Sequence, residues 1–554
     1  MTIRRNVSVA IAASTAIVPL PAAAAAPAQA VDAIFKDLTE PGSPGCAVAA
    51  AEGEQRLVTR AYGMANLEHK IPISADSVFE AGSISKQFTA AAILLLIQDG
   101  KLALNDDIRR HIPQMSHYSY PITVHHLLTH TSGLRDWGDM SQIAGARLGS
   151  RVFTNADVLR FIDRQQSLNF RPGDHFEYIS TGYVVLAELV RLISGKSLPE
   201  FTKERIFQPL GMASTRWRDD FRRVVERRVT GYRQVGDEIV AYMPFTNVIG
   251  PDGVLTTTSD LLRWNLALDE ERMGPVVTTE LQREARDNGG RVLGYGRGLW
   301  IDSHRGYREI SHGGLTGGFQ ATLLRYPERR LSVALLCNGW HITSNDYAHG
   351  LADLYLPGRD NAVLKSQKPR AGKPRTAAVV NISDGALISG VWVDEDSSRF
   401  IDAEYGEALK WDGKPFERLA QGRFHRAGWG EIAFHRPGEA EITREDGEKA
   451  KYVKIREAAP TSVELARLAG SYRSDELRAS YEASVVNDRI YLFNSETGYN
   501  FTVAPAGGSY FRAPGTVVRF ERDGSGCGQL FILGVRRARV TFRREGAGCG
   551  TGAA

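Results

Sequence analysis

The chain predicts an α+β region, an antiparallel sheet with helical layers, followed by two small antiparallel β-barrels. Three observations carry this. Residues 45–62 (GCAVAAAEGEQRLVTRAY) and 318–337 (GFQATLLRYPERRLSVALLC) each read as two strands around a tight turn, with a long, mostly helical stretch between them. A basic, proline-bearing segment, KSQKPRAGKPR at 365–375, then interrupts the pattern. Beyond it the chain turns to short alternating strands, and Gly390-Val391-Trp392 is echoed by Gly470-Ser471-Tyr472.

Each element follows from local chemistry. At 554 residues the chain exceeds one ordinary domain, for which about 150 residues is usual. Strand pairs at both ends of a helical region form one antiparallel sheet when the helices cover it. Ile93 to Ile97 is apolar all round, so its helix belongs at the centre of that layer and stops at Gly100. A last helix around Tyr347 to Tyr355 precedes the linker. The expected domains are 31–360, a linker at 361–379, and barrels at 380–456 and 461–546; the alternative is one continuous β-domain with a chance echo.

The N-terminus, MTIRRNVSVAIAASTAIVPLPAAAAAPAQA, has a basic head, an apolar run and a small-residue Ala28-Gln29-Ala30 site. A signal peptide over 1–30 and a periplasmic or secreted protein are expected. Pro19 and Pro21 break the run, so no membrane anchor is expected. Removing Arg4 and Arg5 takes the formal charge from +4 to +2, which argues against a nucleic-acid partner. The four cysteines, Cys46, Cys337, Cys527 and Cys549, are too few for a disulfide framework and lack zinc-site spacing. In an oxidising compartment Cys527 and Cys549 could bridge, since they flank a hairpin-like run.

Three stretches could do chemistry. In FEAGSISKQFTAAAILLLIQDGKL (79–102), Ser83 and Lys86 lie three apart at a helix start and share one face. A hydroxyl beside an amine is a possible nucleophile and base, and free N–H groups of the first turn favour developing negative charge. In PGDHFEYISTGYVVLAELVRLISG (172–195), Tyr178 precedes another apolar helix, with Ser180 two residues on; alone, such a tyrosine reads equally as packing. In EISHGGLTGGFQATLL (309–324), His312-Gly313-Gly314 ends a strand, where two glycines allow close approach or merely a turn.

Taken together, these elements resemble the penicillin-recognising serine hydrolases: class C β-lactamases, DD-carboxypeptidases, D-aminopeptidases and related esterases. Ser83-Ile84-Ser85-Lys86, Tyr178-Ile179-Ser180 and His312-Gly313-Gly314 match the family motifs Ser-x-x-Lys, Tyr-x-Asn and Lys/His-x-Gly. The runs HLLTHTSGL (126–134) and DGVLTTTSDLLRW (252–264) are similar to family runs as well. The resemblance implies a β-lactamase-like domain and catalytic roles for Ser83, Lys86 and Tyr178. It further implies an oxyanion site between the N–H groups of Ser83 and Leu315, with Ser180, His312, Gly313 and Gly314 lining the substrate. No cofactor is implied. A metal on His126 and His130, at i and i+4, is not expected, because no glutamate follows His126.

Two departures bear on the substrate, expected to be a small molecule or short peptide. Ser180 replaces the motif asparagine, weakening the grip on a substrate amide. His312 and Gly313 stand where carboxylate-binding relatives carry lysine and a hydroxyl residue, which disfavours a free carboxylate. The two expected barrels, and LAGSYRSDELRASY at 468–481, look like those of D-aminopeptidases, whose last barrel offers an acidic loop to the substrate amine. Here the matching turn, FRAPGTV at 511–517, has no carboxylate. The expectation is an exported serine hydrolase acting through an acyl-enzyme, D-aminopeptidase-like. The alternatives are an esterase on small acyl esters, a weak β-lactamase or DD-carboxypeptidase, and a binding protein that has lost catalysis. Subunit number has no signal in the sequence.

Overall fold

The computed structural model describes residues 28–358 and 388–545, apart from short stretches at 41, 116, 147–148, 150, 395–399, 407, 421, 427–429, 444–448, 456–457, 514–515, 523–527 and 535–537. Most of the expected leader, the linker at 361–379, and Cys527 and Cys549 lie outside the described residues.

Six antiparallel strands form the main sheet, in the order Trp300–His304, Tyr307–Thr316, Phe319–Tyr326, Leu331–Cys337, Cys46–Glu52 and Gln55–Tyr62. The first and last strand pairs of the region therefore meet, with Cys46 opposite Cys337 and Glu52 opposite Leu331. Both faces are covered, as the period of two requires. Ala47, Ala49 and Ala51 pack into the larger core, under the helical layer. Cys46, Val48 and Ala50 face the opposite way, against Val31 and Phe35 of the helix Ala28–Ile34 and against Ala348 and Leu351 of the helix Ser344–Asp353. On that second face Cys46 and Cys337 form a disulfide. Sequence reading had weighed only Cys527 with Cys549.

The helix Ser85–Gln98 runs through the centre of the helical layer, its first twelve residues all buried. A helix that is apolar all round has no solvent face to present, and each of Ile93, Leu94, Leu95 and Leu96 contributes about 1.5–3 kcal/mol by its burial. It stops where expected: Asp99 caps it and Gly100 takes φ +70°. Among the described residues no helix is long and apolar enough to cross a membrane.

Two closed eight-stranded antiparallel barrels follow, from Gly390–Asp394 to Lys449–Lys454 and from Gly470–Ser474 to Arg539–Arg544. The echo in sequence is an echo in structure. Trp392 Nε1 donates to the carbonyl of Ile388 at 2.7 Å, and Tyr472 Oη donates to that of Leu468 at 2.9 Å. In each barrel an aromatic residue of the opening strand is fully buried and reaches back four residues to close the entry.

The second barrel docks on the hydrolase domain through the helix Trp137–Ile143. Met140 and Ile143 share its core with Tyr472, Tyr481 and Phe511. Tyr481 Oη donates to the Ile143 carbonyl at 3.0 Å, and Glu476 pairs with Arg135, both nearly buried. The described residues of the turn at 511–517 face elsewhere: Phe511 points into its own barrel and Arg512 pairs with Asp402 of the first barrel at 2.8 Å.

Candidate active site

Ser83 sits in a single 3₁₀ turn, Gly82–Ile84, that leads directly into the buried helix. Lys86, one turn on, is fully buried, and its Nζ donates to Ser83 Oγ at 3.0 Å and to the Pro251 carbonyl at 3.2 Å. The spacing of three thus brings hydroxyl and amine together. Tyr178 comes to the same point from the segment before the helix Thr181–Ser194, its ring centroid 4.7 Å from Lys86 Nζ. The ring face meets the amine; among the described residues the Tyr178 hydroxyl makes no hydrogen bond. Catalytic hydrogen bonds often tighten only once substrate is bound, so this arrangement leaves the hydroxyl available.

The strand Tyr307–Thr316 brings the third motif against the serine turn. A side chain on Gly314 would place its Cβ 2.0 Å from the Ala81 carbonyl oxygen, and one on Gly82 would meet Leu315 N at 2.6 Å. Only glycine permits this approach, and Gly82 also holds φ +52°. The N–H of Leu315 is thereby set beside the turn that carries the N–H of Ser83. Two backbone donors so placed can hold an oxyanion. Gly313 is exposed at the same edge.

His312 is buried and turned inward. Its Nδ1 lies 2.6 Å from the Gly313 carbonyl and must donate to it, which leaves Nε2 as acceptor towards Tyr295 Oη at 3.3 Å. On the other side of Tyr295, His130 accepts the Ile179 N–H on Nδ1 at 3.2 Å, so its Nε2 donates to the same hydroxyl at 3.2 Å. Burial, with Lys86 nearby, pushes the His312 pKa down from 6.5 to about 3 and holds His130 well below its usual value. Burial likewise holds the Tyr295 hydroxyl well above its usual range. All three are neutral near pH 7. His312 makes no hydrogen bond to Tyr178, whose ring lies 6.0 Å away; it bonds to Tyr295 and to its own strand. Tyr178 is instead packed between His130, at 4.4 Å, and Trp300, stacked at 6.1 Å.

Ser180 caps the helix without using its hydroxyl; its N–H donates to Asp136 Oδ2 at 2.8 Å, while Asp136 Oδ1 accepts the Gly138 N–H at 2.9 Å. One carboxylate thus joins the Tyr178–Ser180 segment to the helix on which the second barrel docks.

Sequence reasoning did not single out Asp252, Tyr295, Trp300 or the role of His130. Asp252 Oδ1 lies 3.3 Å from Ser83 Oγ. Its run, 252–264, was noticed as a whole, but nothing in one sequence distinguishes this aspartate from any other loop carboxylate. Away from the site, His304, Glu309 and His349 place possible ligand atoms within 4.8 Å of one another. His349 already bonds to Glu309 at 2.9 Å and His304 to Asp353 at 2.7 Å, so hydrogen bonds account for that cluster.

The profile of the family described as Beta-lactamase matches residues 31–356, and the chain belongs to that family. It is a serine hydrolase. The chain is 31% identical over 324 residues to penicillin-binding protein 4* of Bacillus subtilis (strain 168), covering 55% of this chain and 70% of that protein. It is 26% identical over 445 residues to a D-aminopeptidase of Brucella anthropi, covering 79% of this chain and 80% of that one. The solved structure of an octameric penicillin-binding protein homologue from Pyrococcus abyssi shares the fold, with TM-score 0.53 and 17% identity over 93% of this chain and 99% of that chain.

Proposed function

We propose that the protein is an exported, D-aminopeptidase-like hydrolase that cleaves amide bonds of small substrates or short peptides through an acyl-enzyme. The observation that carries this is Lys86 Nζ at 3.0 Å from Ser83 Oγ, with Tyr178 over the same amine. Ser83 Oγ attacks the substrate carbonyl carbon, and its proton passes to the Lys86–Tyr178 pair. The carbonyl oxygen becomes an oxyanion held by the N–H groups of Ser83 and Leu315. Collapse expels the amine, which takes the proton, and leaves an ester on Ser83. Water then adds to that ester by the same proton path in reverse, releasing the acid. No residue role in this sequence requires a cofactor. Export is supported by the N-terminal pattern and by the Cys46–Cys337 disulfide, since such bonds persist in oxidising compartments.

Three features support an amine-bearing, rather than a carboxylate-bearing, substrate. His312 is neutral and buried where a cation would be needed, Gly313 offers no hydroxyl, and the aligned D-aminopeptidase spans most of both chains. The Ser180 hydroxyl, which has no hydrogen-bond partner among the described residues, favours esters as the second reading. Purified protein should be given D-amino acid amides, p-nitrophenyl esters and benzylpenicillin in parallel. Amide turnover well above penicillin turnover is expected. Turnover confined to esters would replace this reading with the second.

A further inference from the structure

We infer that Asp252 forms an ammonium-binding subsite, which selects substrates carrying a free amine next to the scissile carbonyl. This rests on the aminopeptidase-like reading above and names the group that would recognise the amine. Asp252 is half-buried beside the nucleophile, with Oδ1 3.3 Å from Ser83 Oγ. Ser83 is its one hydrogen-bond partner among the described residues, and no lysine, arginine or histidine there lies within ion-pair distance. Lys86 turns its donors to Ser83 Oγ and the Pro251 carbonyl instead. A half-buried carboxylate with no direct ion-pair partner, at the edge of a site that faces substrate, can pair with a positive group on the substrate.

The geometry fits an α-amine. In a reactive complex the carbonyl carbon lies about 3–3.5 Å from the attacking oxygen. The amine nitrogen is two bonds further, roughly 2.5 Å from that carbon. With the carbonyl oxygen directed at the N–H groups of Ser83 and Leu315, the amine can turn to Asp252 and form a short charge-assisted hydrogen bond. The same carboxylate repels a substrate anion placed there, and the turn at 511–517 of the last barrel carries no carboxylate that could serve the amine in its place. When the amine binds, Asp252 exchanges its contact with Ser83 for the ammonium, and the serine hydroxyl is released towards the Lys86–Tyr178 pair.

The test compares D-alanine p-nitroanilide with propionic acid p-nitroanilide, the same acyl group without the amine, in wild type and in Asp252→Asn. We expect the amine-bearing substrate to be preferred by wild type. In the variant the ratio of the two kcat/KM values should fall on the order of tenfold to a hundredfold. Acylation by benzylpenicillin should rise in the same variant, because a repulsive charge is gone, which a purely structural role would not produce. A preference that persists in Asp252→Asn overturns the inference and leaves the proposed function standing. Equal losses on both substrates overturn it too, by making Asp252 a positioning residue for Ser83. If wild type shows no preference, the aminopeptidase-like reading itself fails. Should the variant not fold, N-acetyl-D-alanine p-nitroanilide with wild type decides: equal turnover of acetylated and free substrate overturns the inference, and strong discrimination that fades as the free amine deprotonates above about pH 8 supports it.

Discussion

Ser83, Lys86 and Tyr178 come from two separate segments, and the three buried groups behind them, His130, Tyr295 and His312, are held neutral by burial. His130 and His312 flank Tyr295 in one hydrogen-bonded line, and the direction of every proton in it follows from the two Nδ1 contacts at its ends. His130 also holds a left-handed backbone, φ +58°, which a residue other than glycine adopts only when its surroundings impose it. This line has a consequence for acid stability. In the unfolded chain each histidine takes a proton as pH falls through 6.5, whereas folded His312 refuses one until about pH 3. The unfolded state therefore binds more protons in that window, and stability is lost as pH falls from about 6.5 towards 3. The slope should be on the order of 1 kcal/mol per pH unit for each buried histidine. Urea unfolding followed from pH 8 to pH 4 checks this; a His312→Asn variant should show a shallower loss. A flat profile in wild type would mean that His312 protonates freely when folded.

At the scale of elements, the strand Tyr307–Thr316 and the serine turn depend on each other through backbone contact. The motif glycines were legible as a place of close approach or of a simple turn, and the contact of Gly314 with the Ala81 carbonyl favours close approach. We expect Gly314→Ala to push the strand off the turn, displace the Leu315 N–H, and lower kcat on the order of a hundredfold while circular dichroism stays native. A variant with a rate near that of wild type would detach Leu315 from the oxyanion site. The sheet was legible for a plain physical reason: a period of two and tight turns are written locally in 45–62 and 318–337. So was the buried helix, whose residues are apolar on every side. Asp252, Tyr295 and Trp300 were not legible. Each reaches the site through a loop or strand end distant in sequence, and a single carboxylate or aromatic residue carries no periodic signal. The Cys46–Cys337 disulfide, closing 291 residues, was missed in the same way, because strand pairing brought the two cysteines together and their spacing did not.

For the whole molecule, the two barrels differ in what they touch. The first pairs with the second through Arg512–Asp402, while the second holds the helix Trp137–Ile143. That helix begins at Asp136, which grips the Ser180 N–H, and the Arg135 carbonyl accepts the Thr181 hydroxyl at 2.7 Å. The second barrel therefore buttresses the segment that carries Tyr178, from behind. Sequence had matched its turn at 511–517 to the loop that reaches the substrate in D-aminopeptidases; docking of one domain on another is set by surfaces that no local pattern records. Glu476→Gln should break the buried pair with Arg135, lower stability by about 3 kcal/mol, and reduce kcat more than KM. Differential scanning calorimetry with steady-state kinetics checks both. An unchanged kcat despite a lower Tm would show that the barrel stabilises the domain without supporting the site.

The central claim, that Ser83 is the residue acylated during turnover, is tested most directly by labelling the purified protein with a fluorophosphonate and mapping the adduct by peptide mass spectrometry. The account predicts one adduct, on the peptide that contains Ser83, formed at a rate that Lys86→Ala lowers, and absent in Ser83→Ala although that variant stays folded. An adduct that persists in Ser83→Ala, or that maps to another serine in wild type, would contradict it.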